Sequence, residues 1–224
     1  MSRLYPVMLV LEDKRALVVG GGAVAQRKVE GLLACDAQVR VVAPKATDGL
    51  RALAEAGACA WCARTFCERD LADADIVFAA TDDEQVNRQV FEGAKRARLM
   101  VNVADRPELC TFYLPSVMRK GRLSVSVSTE GASPLLARRV RAQIEERLSD
   151  AYAPYVDLLA SYRDVVNATI AEKARMRFWE EATDGRALAL VEAGDLDGAA
   201  ALVDALVARY QLEREDAGAS PDLT

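Results

Sequence analysis

The first half of the chain alternates short apolar runs with stretches in which apolar residues recur every three or four positions. A β-branched run ends at Val19, three glycines follow, and residues Ala25 to Ala34 then show helical spacing. Another apolar run extends from Ala37 to Val42. Strand, glycine turn, helix and strand within about 30 residues predict the βαβ unit of a nucleotide-binding sheet.

The same alternation continues along the chain and predicts strands over 7–11, 58–63, 75–80 and 100–103, with helices over 48–56 and 84–98. This order indicates an α/β fold with a Rossmann-like, doubly wound parallel sheet. Crossovers between parallel strands are right-handed, so the turns after Val19, Val42, Ala80 and Val103 should lie together at the carboxyl ends of the strands. We expect ligands to bind at this edge of the sheet.

The pattern changes after Pro107. Alternating runs over 112–117 and 123–128 predict a hairpin, and Ser133 and Pro134 predict the N-cap and first residue of a helix. Further helices are expected over 152–174, 178–182, 187–193 and 196–210, followed by a frayed polar tail from Glu213. The sheet is thus followed by a small α+β region and a helical C-terminal region.

Composition narrows the possible chemistry. The chain has 224 residues, 51% of them hydrophobic, a net charge of −5 and no histidine. The apolar content excludes global disorder, and the acidic balance argues against nucleic acid as a partner. Without histidine there is no Ser-His-Asp system, no histidine-ligated zinc and no imidazole acid or base. Chemistry must use carboxylate, lysine, hydroxyl, thiol or a cofactor.

The sequence shows neither a leader-like start nor a membrane-length apolar run, so we expect a cytoplasmic protein with no membrane partner. The five cysteines should then stay reduced. Cys59, Cys62 and Cys67 have a spacing that suggests metal binding. Residues 59 and 62 of a strand point to opposite faces, however, and we therefore predict no metal site.

The glycine turn fits a dinucleotide-binding fingerprint because it follows a strand and opens a helix. Gly20 permits the tight turn, Gly22 lets a pyrophosphate approach the backbone, and Ala25 keeps helix and strand close. A glycine turn that serves only packing is the alternative. The predicted cofactor-binding residues of this turn are Gly20, Gly21, Gly22, Ala23, Val24 and Ala25.

No carboxylate follows the second strand, where an acidic residue would bind the ribose of NAD. That strand is followed by Pro44, which we include in the cofactor site, and by Lys45, which could tolerate a 2′-phosphate. The residues alone leave the choice between NAD and NADP open.

Polar residues follow two further strands. Thr81 and Asp82 are predicted to contact phosphate or ribose, or else one of them only caps the next helix. Asn102 is assigned to the same cofactor site. Asp105 ends the fifth strand and is the leading general base in a chain without histidine, the alternative being a turn-forming Asp before Arg106.

Six collinear motifs between about residues 5 and 148 resemble the precorrin-2 dehydrogenase family, which comprises stand-alone enzymes and the N-terminal module of sirohaem synthases. The motifs are Tyr5-Pro6-Val7 with Leu9, Val18 to Ala25 with Arg27 and Lys28, Ala80 to Asp83 with Asn87, Val101-Asn102-Val103 with Asp105, Phe112 with Pro115 and Ser116, and Ser128-Thr129 with Gly131, Ser133, Pro134, Ala137 and Arg138.

The resemblance implies a homodimer that oxidises precorrin-2 to sirohydrochlorin with NAD, Asp105 taking a proton. The family favours NAD even without the acidic ribose residue. Some members also insert ferrous iron, so a bifunctional dehydrogenase and ferrochelatase is an alternative. A regulatory domain that senses NAD is a second alternative.

The tetrapyrrole substrate implied by the resemblance carries eight carboxylates, which calls for local cations despite the acidic total. Arginines and a lysine flank the hairpin turn and line the next helix, although each could equally belong to a solvated basic face: Arg119, Lys120, Arg122, Arg138, Arg139 and Arg141. The predicted substrate-binding residues are Ser128, Thr129, Gly131, Ser133 and Arg138.

The expected division of the chain is an NAD-binding domain over 1–113, a dimerisation and substrate region over 114–148, a helical domain over 149–212 and the tail over 213–224.

Overall fold

The computed structural model describes residues 3–218. The described residues fall into two compact units divided between Leu114 and Pro115. Each unit has its own secondary structure and core and is described by itself.

The first unit is built on a parallel sheet of β1 (Arg15–Val19), β2 (Gln38–Val42), β3 (Ala60–Cys62), β4 (Ile76–Ala79) and β5 (Met100–Val103). The strand order is β3-β2-β1-β4-β5. This order confirms the predicted Rossmann-like fold, and it reverses direction between β1 and β4, where open α/β sheets bind ligands.

Helices cover both faces of this sheet: α1 (Ala23–Leu33), α2 (Asp48–Glu55) and α3 (Glu84–Arg96). On one face Val18 packs with Val29 of α1, and on the other Val19 packs with Val90 of α3. Alternate residues of β1 therefore enter different cores, as strand geometry requires.

Cys59, immediately before β3, and Cys62, within it, follow the same rule. Cys59 belongs to the core under α1, whereas Cys62 packs against the core under α3. Their expected orientation toward opposite faces is confirmed, and both cysteines contribute to packing.

The predicted strand over 7–11 is wrong. Residues 3–10 are exposed and have no regular structure, and Val10 is 78% exposed. An apolar run forms a strand only where a neighbouring strand accepts its backbone hydrogen bonds, and residues 7–11 pair with neither edge strand of the sheet, β3 or β5.

The second unit begins with a hairpin of β6 (Ser116–Lys120) and β7 (Leu123–Val127), followed by α4 (Pro134–Glu145). The predicted hairpin is correct, but its first strand starts at Ser116 rather than at 112. Ser133 caps α4, its Oγ accepting from the backbone N–H of Leu136 at 3.2 Å, and Pro134 opens the helix, both as predicted.

The remaining helices of the described chain are α5 (Tyr152–Ser161), α6 (Arg163–Thr169), α7 (Glu172–Ala182), α8 (Arg186–Glu192) and α9 (Leu196–Gly218). They enclose a core that includes Val166, Phe178 and Tyr210. The single helix predicted over 152–174 is wrong, because the chain turns at Tyr162 and becomes extended at Ile170. The helix α9 also continues to Gly218, beyond the expected start of the tail, and residues 219–224 lie outside the described residues.

Candidate functional site

The glycine turn after β1 packs between the turn that follows β2 and the turn that follows β4. Gly20 has φ +127°, and a Cβ there would overlap the carbonyl oxygen of Ala80. A Cβ on Gly21 would overlap the carbonyl oxygen of Lys45, and Thr47 N donates to Gly21 O at 2.9 Å. Backbone packing therefore requires glycine at both positions, a role for Gly21 that sequence reasoning had not identified.

Gly22 differs from its neighbours because its Cα faces open space. Among the described residues, no heavy atom beyond the adjacent chain lies within 4 Å of the place where its Cβ would be. Gly22 is also the N-cap of α1, it provides no side-chain cap, and the first turn of the helix carries no acidic residue. Free N–H groups, the positive end of the helix dipole and room above the backbone fit the pyrophosphate of a dinucleotide.

Ala25 is fully buried, as expected for a residue that keeps α1 close to the sheet. After β2 the carbonyl of Ala43 accepts from Trp61 Nε1 at 3.0 Å, while Pro44 and Lys45 are exposed. The segment where a ribose-binding acid would stand thus presents proline and lysine.

The turn after β4 is organised by a buried asparagine. Asn87 Nδ2 donates to the carbonyl of Thr81 at 2.9 Å, and the Thr81 hydroxyl lies 3.0 Å from Asn87 Oδ1. The N-cap of α3 is Asp83, whose Oδ1 accepts from Gln85 N at 2.8 Å. The capping role considered for Thr81 or Asp82 therefore belongs to Asp83, and Asp82 is exposed at the edge.

Asp105 lies two residues after the end of β5 and is exposed. Its φ of +57° is a left-handed conformation that Asp tolerates better than most residues. The neighbouring Arg106 is paired with Glu84, and among the described residues the Asp105 carboxylate has no hydrogen-bond partner. A charged, unpaired carboxylate at the carboxyl end of a sheet strand can accept a proton from a ligand bound at that edge.

Asn102, in contrast, is buried inside β5. Its Oδ1 accepts from Lys28 Nζ at 3.0 Å, and its Nδ2 donates to the carbonyl of Phe112 at 3.1 Å. The structure therefore does not bring the Asn102 amide to the exposed edge with Gly22 and Asp105. It brings the half-buried Lys28 to β5 instead, a residue to which the sequence alone gave no role because a lysine on a surface helix usually reaches solvent.

In the second unit the predicted substrate-binding residues surround the start of α4. Thr129 Oγ1 accepts from Ser133 N at 3.0 Å, and Ser128 Oγ accepts from Glu130 N at 3.1 Å. Gly131 has φ +86° and faces open space within the described structure. The hydroxyls thus shape the loop, while Gly131 and its neighbours expose backbone at a helix N-terminus.

The basic residues of this unit divide into paired and unpaired groups. Lys120 is paired with Asp150, Arg141 with Glu145, and Arg122 with Asp157 at 3.1 Å. The side chains of Arg138 and Arg139 are exposed and have no ionic partner in the part of the chain that the structure describes. Of the cations predicted on α4, Arg138 and Arg139 are thus the two that no ion pair neutralises among the described residues.

Among residues 3–218, no three histidine, cysteine or acidic side chains are grouped as metal ligands, and no helix has both the length and the apolarity to cross a membrane.

Three family models match the chain in succession. An NAD(P)-binding model matches residues 7–116, a sirohaem biosynthesis central model matches residues 120–147, and a sirohaem synthase dimerisation model matches residues 151–207. The first covers the sheet with its glycine turn, so the chain has a domain for a nicotinamide cofactor.

Similar proteins agree with this assignment. The chain is 41% identical to a siroheme synthase of Nitrosospira multiformis over 194 residues, which is 84% of this chain and 41% of the relative. It is 40% identical to a siroheme synthase of Thioalkalivibrio sulfidiphilus over 96% of this chain and 44% of the relative. The chain thus spans less than half the length of these curated relatives.

Among solved structures, SirC, a precorrin-2 dehydrogenase, matches with a TM-score of 0.76 and 28% identity over 90% of this chain and 99% of that one. Together with the three family models, this match shows that the chain belongs to the precorrin-2 dehydrogenase family, which includes the corresponding part of sirohaem synthases.

Proposed function

We propose that this protein oxidises precorrin-2 to sirohydrochlorin, with NAD as the oxidant and Asp105 as the base. The overall change removes a hydride and a proton from the macrocycle and yields NADH. The observation that carries the proposal is the exposed, unpaired carboxylate of Asp105 at the sheet edge that also holds the open glycine turn, in a chain of this family.

The glycine turn would hold the cofactor. The backbone of Gly22 and the first N–H groups of α1 would bind the pyrophosphate, while Gly20 and Gly21 fix the turn against its neighbours. Thr81 and Asp82 stand at the next turn as candidate contacts to ribose or phosphate. When bound, NAD supplies the hydride acceptor.

Asp105 would hold the proton that leaves the macrocycle. No histidine exists in the chain to take that part, and the carboxylate of Asp105 is exposed. A deprotonated carboxylate can accept the proton that the macrocycle loses when the hydride leaves, and this acceptance is general-base catalysis.

The substrate region would be the start of α4. Arg138 is charged and unpaired among the described residues, and the loop from Ser128 to Ser133 presents backbone N–H groups. Both features attract carboxylates, of which the proposed substrate has eight.

The proposal extends to a homodimer, because the helical part of the chain matches a dimerisation region. Sedimentation at micromolar concentration should give twice the mass of one chain. A single monomeric species would contradict this part of the proposal.

The test of function is anaerobic incubation with precorrin-2 and either NAD or NADP while the absorbance of the reduced nicotinamide is recorded. NADH should form rapidly, and it should form faster than NADPH does. Tight NAD binding without any reduction would instead favour a sensing domain. Adding ferrous or cobaltous ion to the product shows whether metal insertion is accelerated, which would add the chelatase activity.

A further inference from the structure

The outer side of β5, the strand that precedes Asp105, is satisfied by two side chains rather than by another strand. The strand order places β5 at the end of the sheet, with β4 as its one neighbour among the described strands. On its outer side Val101 N donates to Thr111 Oγ1 at 2.9 Å, and Val103 N donates to Cys110 Sγ at 3.2 Å. A hydroxyl and a thiol thus accept the backbone donors that a further strand would otherwise take.

The thiol of Cys110 contacts both ends of the turn that carries Asp105. Besides accepting from Val103 N, its Sγ lies 3.3 Å from the carbonyl oxygen of Val103 and 3.2 Å from that of Arg106, so its proton can be donated to either oxygen. The backbone bond that closes the same turn, from Arg106 N to Val103 O, measures 3.4 Å. Cys110 therefore joins the residue before the turn to the residue after it, and Asp105 lies between them.

The position of the Asp105 carboxylate depends on this backbone. Its side chain has no hydrogen-bond partner among the described residues, and the adjacent guanidinium of Arg106 is paired with Glu84. The φ of Asp105 is +57°, a conformation that a residue other than glycine keeps only where its surroundings determine it. Because nothing holds the carboxylate itself, the bonds that hold the turn decide where it lies.

The thiol of Cys110 is in the protonated form that can both donate and accept. Burial raises its pKa above the ordinary value of 9.0, although the backbone bond from Val103 and the charge of Lys28 act to lower it. A thiol with a raised pKa keeps its proton at neutral pH, whereas a thiolate could not donate to a carbonyl oxygen.

We propose that Cys110 is a positioning residue for Asp105: its thiol holds Val103 and Arg106, the two ends of the turn, and so fixes the place from which the carboxylate accepts a proton. This inference rests on the proposed function. Cys110 contacts neither substrate nor cofactor in this account, and its sulfur is neither oxidised nor reduced. It acts through the backbone of the turn.

Amide hydrogen exchange measured by NMR tests these bonds without substrate or cofactor. Cys110→Ala should accelerate exchange of the Val103 amide at least about 10-fold. Cys110→Ser, whose hydroxyl can donate and accept in the same place, should restore most of the protection. The Val101 amide is the internal reference, because it donates to Thr111 and should exchange equally in all three proteins. Equal exchange of Val103 in the wild type and in Cys110→Ala would overturn the proposal.

Turnover tests the consequence for Asp105. In Cys110→Ala kcat should fall about 10-fold while KM for NAD changes less than about twofold, because the base is displaced and the glycine turn is not. Cys110→Ser should recover kcat to within about threefold of the wild type.

The matched control is Thr111→Val, which removes the neighbouring bond on the outer side of β5 and should keep kcat within about twofold of the wild type. Wild-type kcat in Cys110→Ala, or an equal loss of kcat in Thr111→Val, would overturn the positioning role.

The two readouts distinguish a failure of the inference from a failure of the proposed function. A wild type that never reduces NAD contradicts the proposed function and, with it, the role of Asp105. Normal turnover of Cys110→Ala beside wild-type exchange at Val103 overturns only the inference about Cys110. Should Cys110→Ala fail to fold, Cys110→Val, which fills the space without a hydrogen-bonding group, takes its place in both measurements.

Discussion

The Cα of Gly20 faces the carbonyl oxygen of Ala80 so closely that any side chain at position 20 would overlap it. The turn after β1 and the turn after β4 thus determine each other. Gly20→Ala should lower the free energy of unfolding by about 3 kcal/mol, because the new methyl group clashes with backbone and φ is positive. Urea denaturation measures this. Wild-type stability would show that the two turns can separate freely.

Gly22→Ala is the matched substitution at a glycine where an added methyl group does not clash. The added methyl group meets no atom of the described chain and φ is −85°, so stability should change by less than about 1 kcal/mol. The methyl group would occupy the space proposed for pyrophosphate, and we expect the affinity for NADH to fall at least about 10-fold by calorimetry. Unchanged affinity would place the dinucleotide elsewhere.

The ion pair of Arg64 with buried Asp70 should make stability depend on pH. Arg64 donates two hydrogen bonds to the Asp70 carboxylate, from Nη1 to Oδ2 at 2.8 Å and from Nη2 to Oδ1 at 2.5 Å. These two bonds lower the pKa of Asp70 from 3.8 to about 2. A carboxyl whose folded pKa is depressed stabilises the protein above its ordinary value, and this contribution of about 2 kcal/mol is lost as the pH falls from about 4 toward 2. Asp70→Asn should flatten the acid side of the stability curve measured by urea denaturation.

Asp73→Asn is the control for that measurement. Asp73 is exposed and lies 3.6 Å from Arg15, a surface pair that contributes about 0.5 kcal/mol or less. Its acid profile should match the wild type. Identical acid slopes for Asp70→Asn and the wild type would refute the assigned role of Asp70.

The choice of cofactor can be tested at Lys45, which is exposed after β2. A carboxylate there repels a 2′-phosphate, so Lys45→Glu should reduce kcat/KM for NADP at least about 10-fold and that for NAD less than about threefold. Initial rates with both cofactors provide the comparison. Equal losses for both would mean that residue 45 does not face the ribose.

The parts of the fold that the sequence predicts correctly depend on local rules. The strand, glycine turn and helix around Gly22 follow from periodicity and chain flexibility, and the start of α4 follows from Ser133 and Pro134. The errors arise where tertiary contacts decide. Residues 152–174 have helical periodicity throughout, yet the chain is extended at Ile170, whose side chain is buried and whose carbonyl accepts from Arg175 Nε at 3.1 Å.

The candidate site shows the same division. Asp105 could be selected from its place after a strand and from the absence of histidine. Lys28 belongs to one of the six motifs, but its half-buried position could not be predicted, because that position depends on contacts with Phe78 and Asn102, which lie 50 and 74 residues further along the chain. Spacing along a helix carries no information on such contacts.

The most direct test of the account compares the wild type with Asp105→Asn under anaerobic conditions, with precorrin-2 and NAD. Both proteins should bind NADH with the same affinity, because Asp105 takes no part in the glycine turn. The wild type should reduce NAD in step with sirohydrochlorin formation, and Asp105→Asn should be slower by about 100-fold or more. Equal rates of NADH formation in the two proteins would contradict the account.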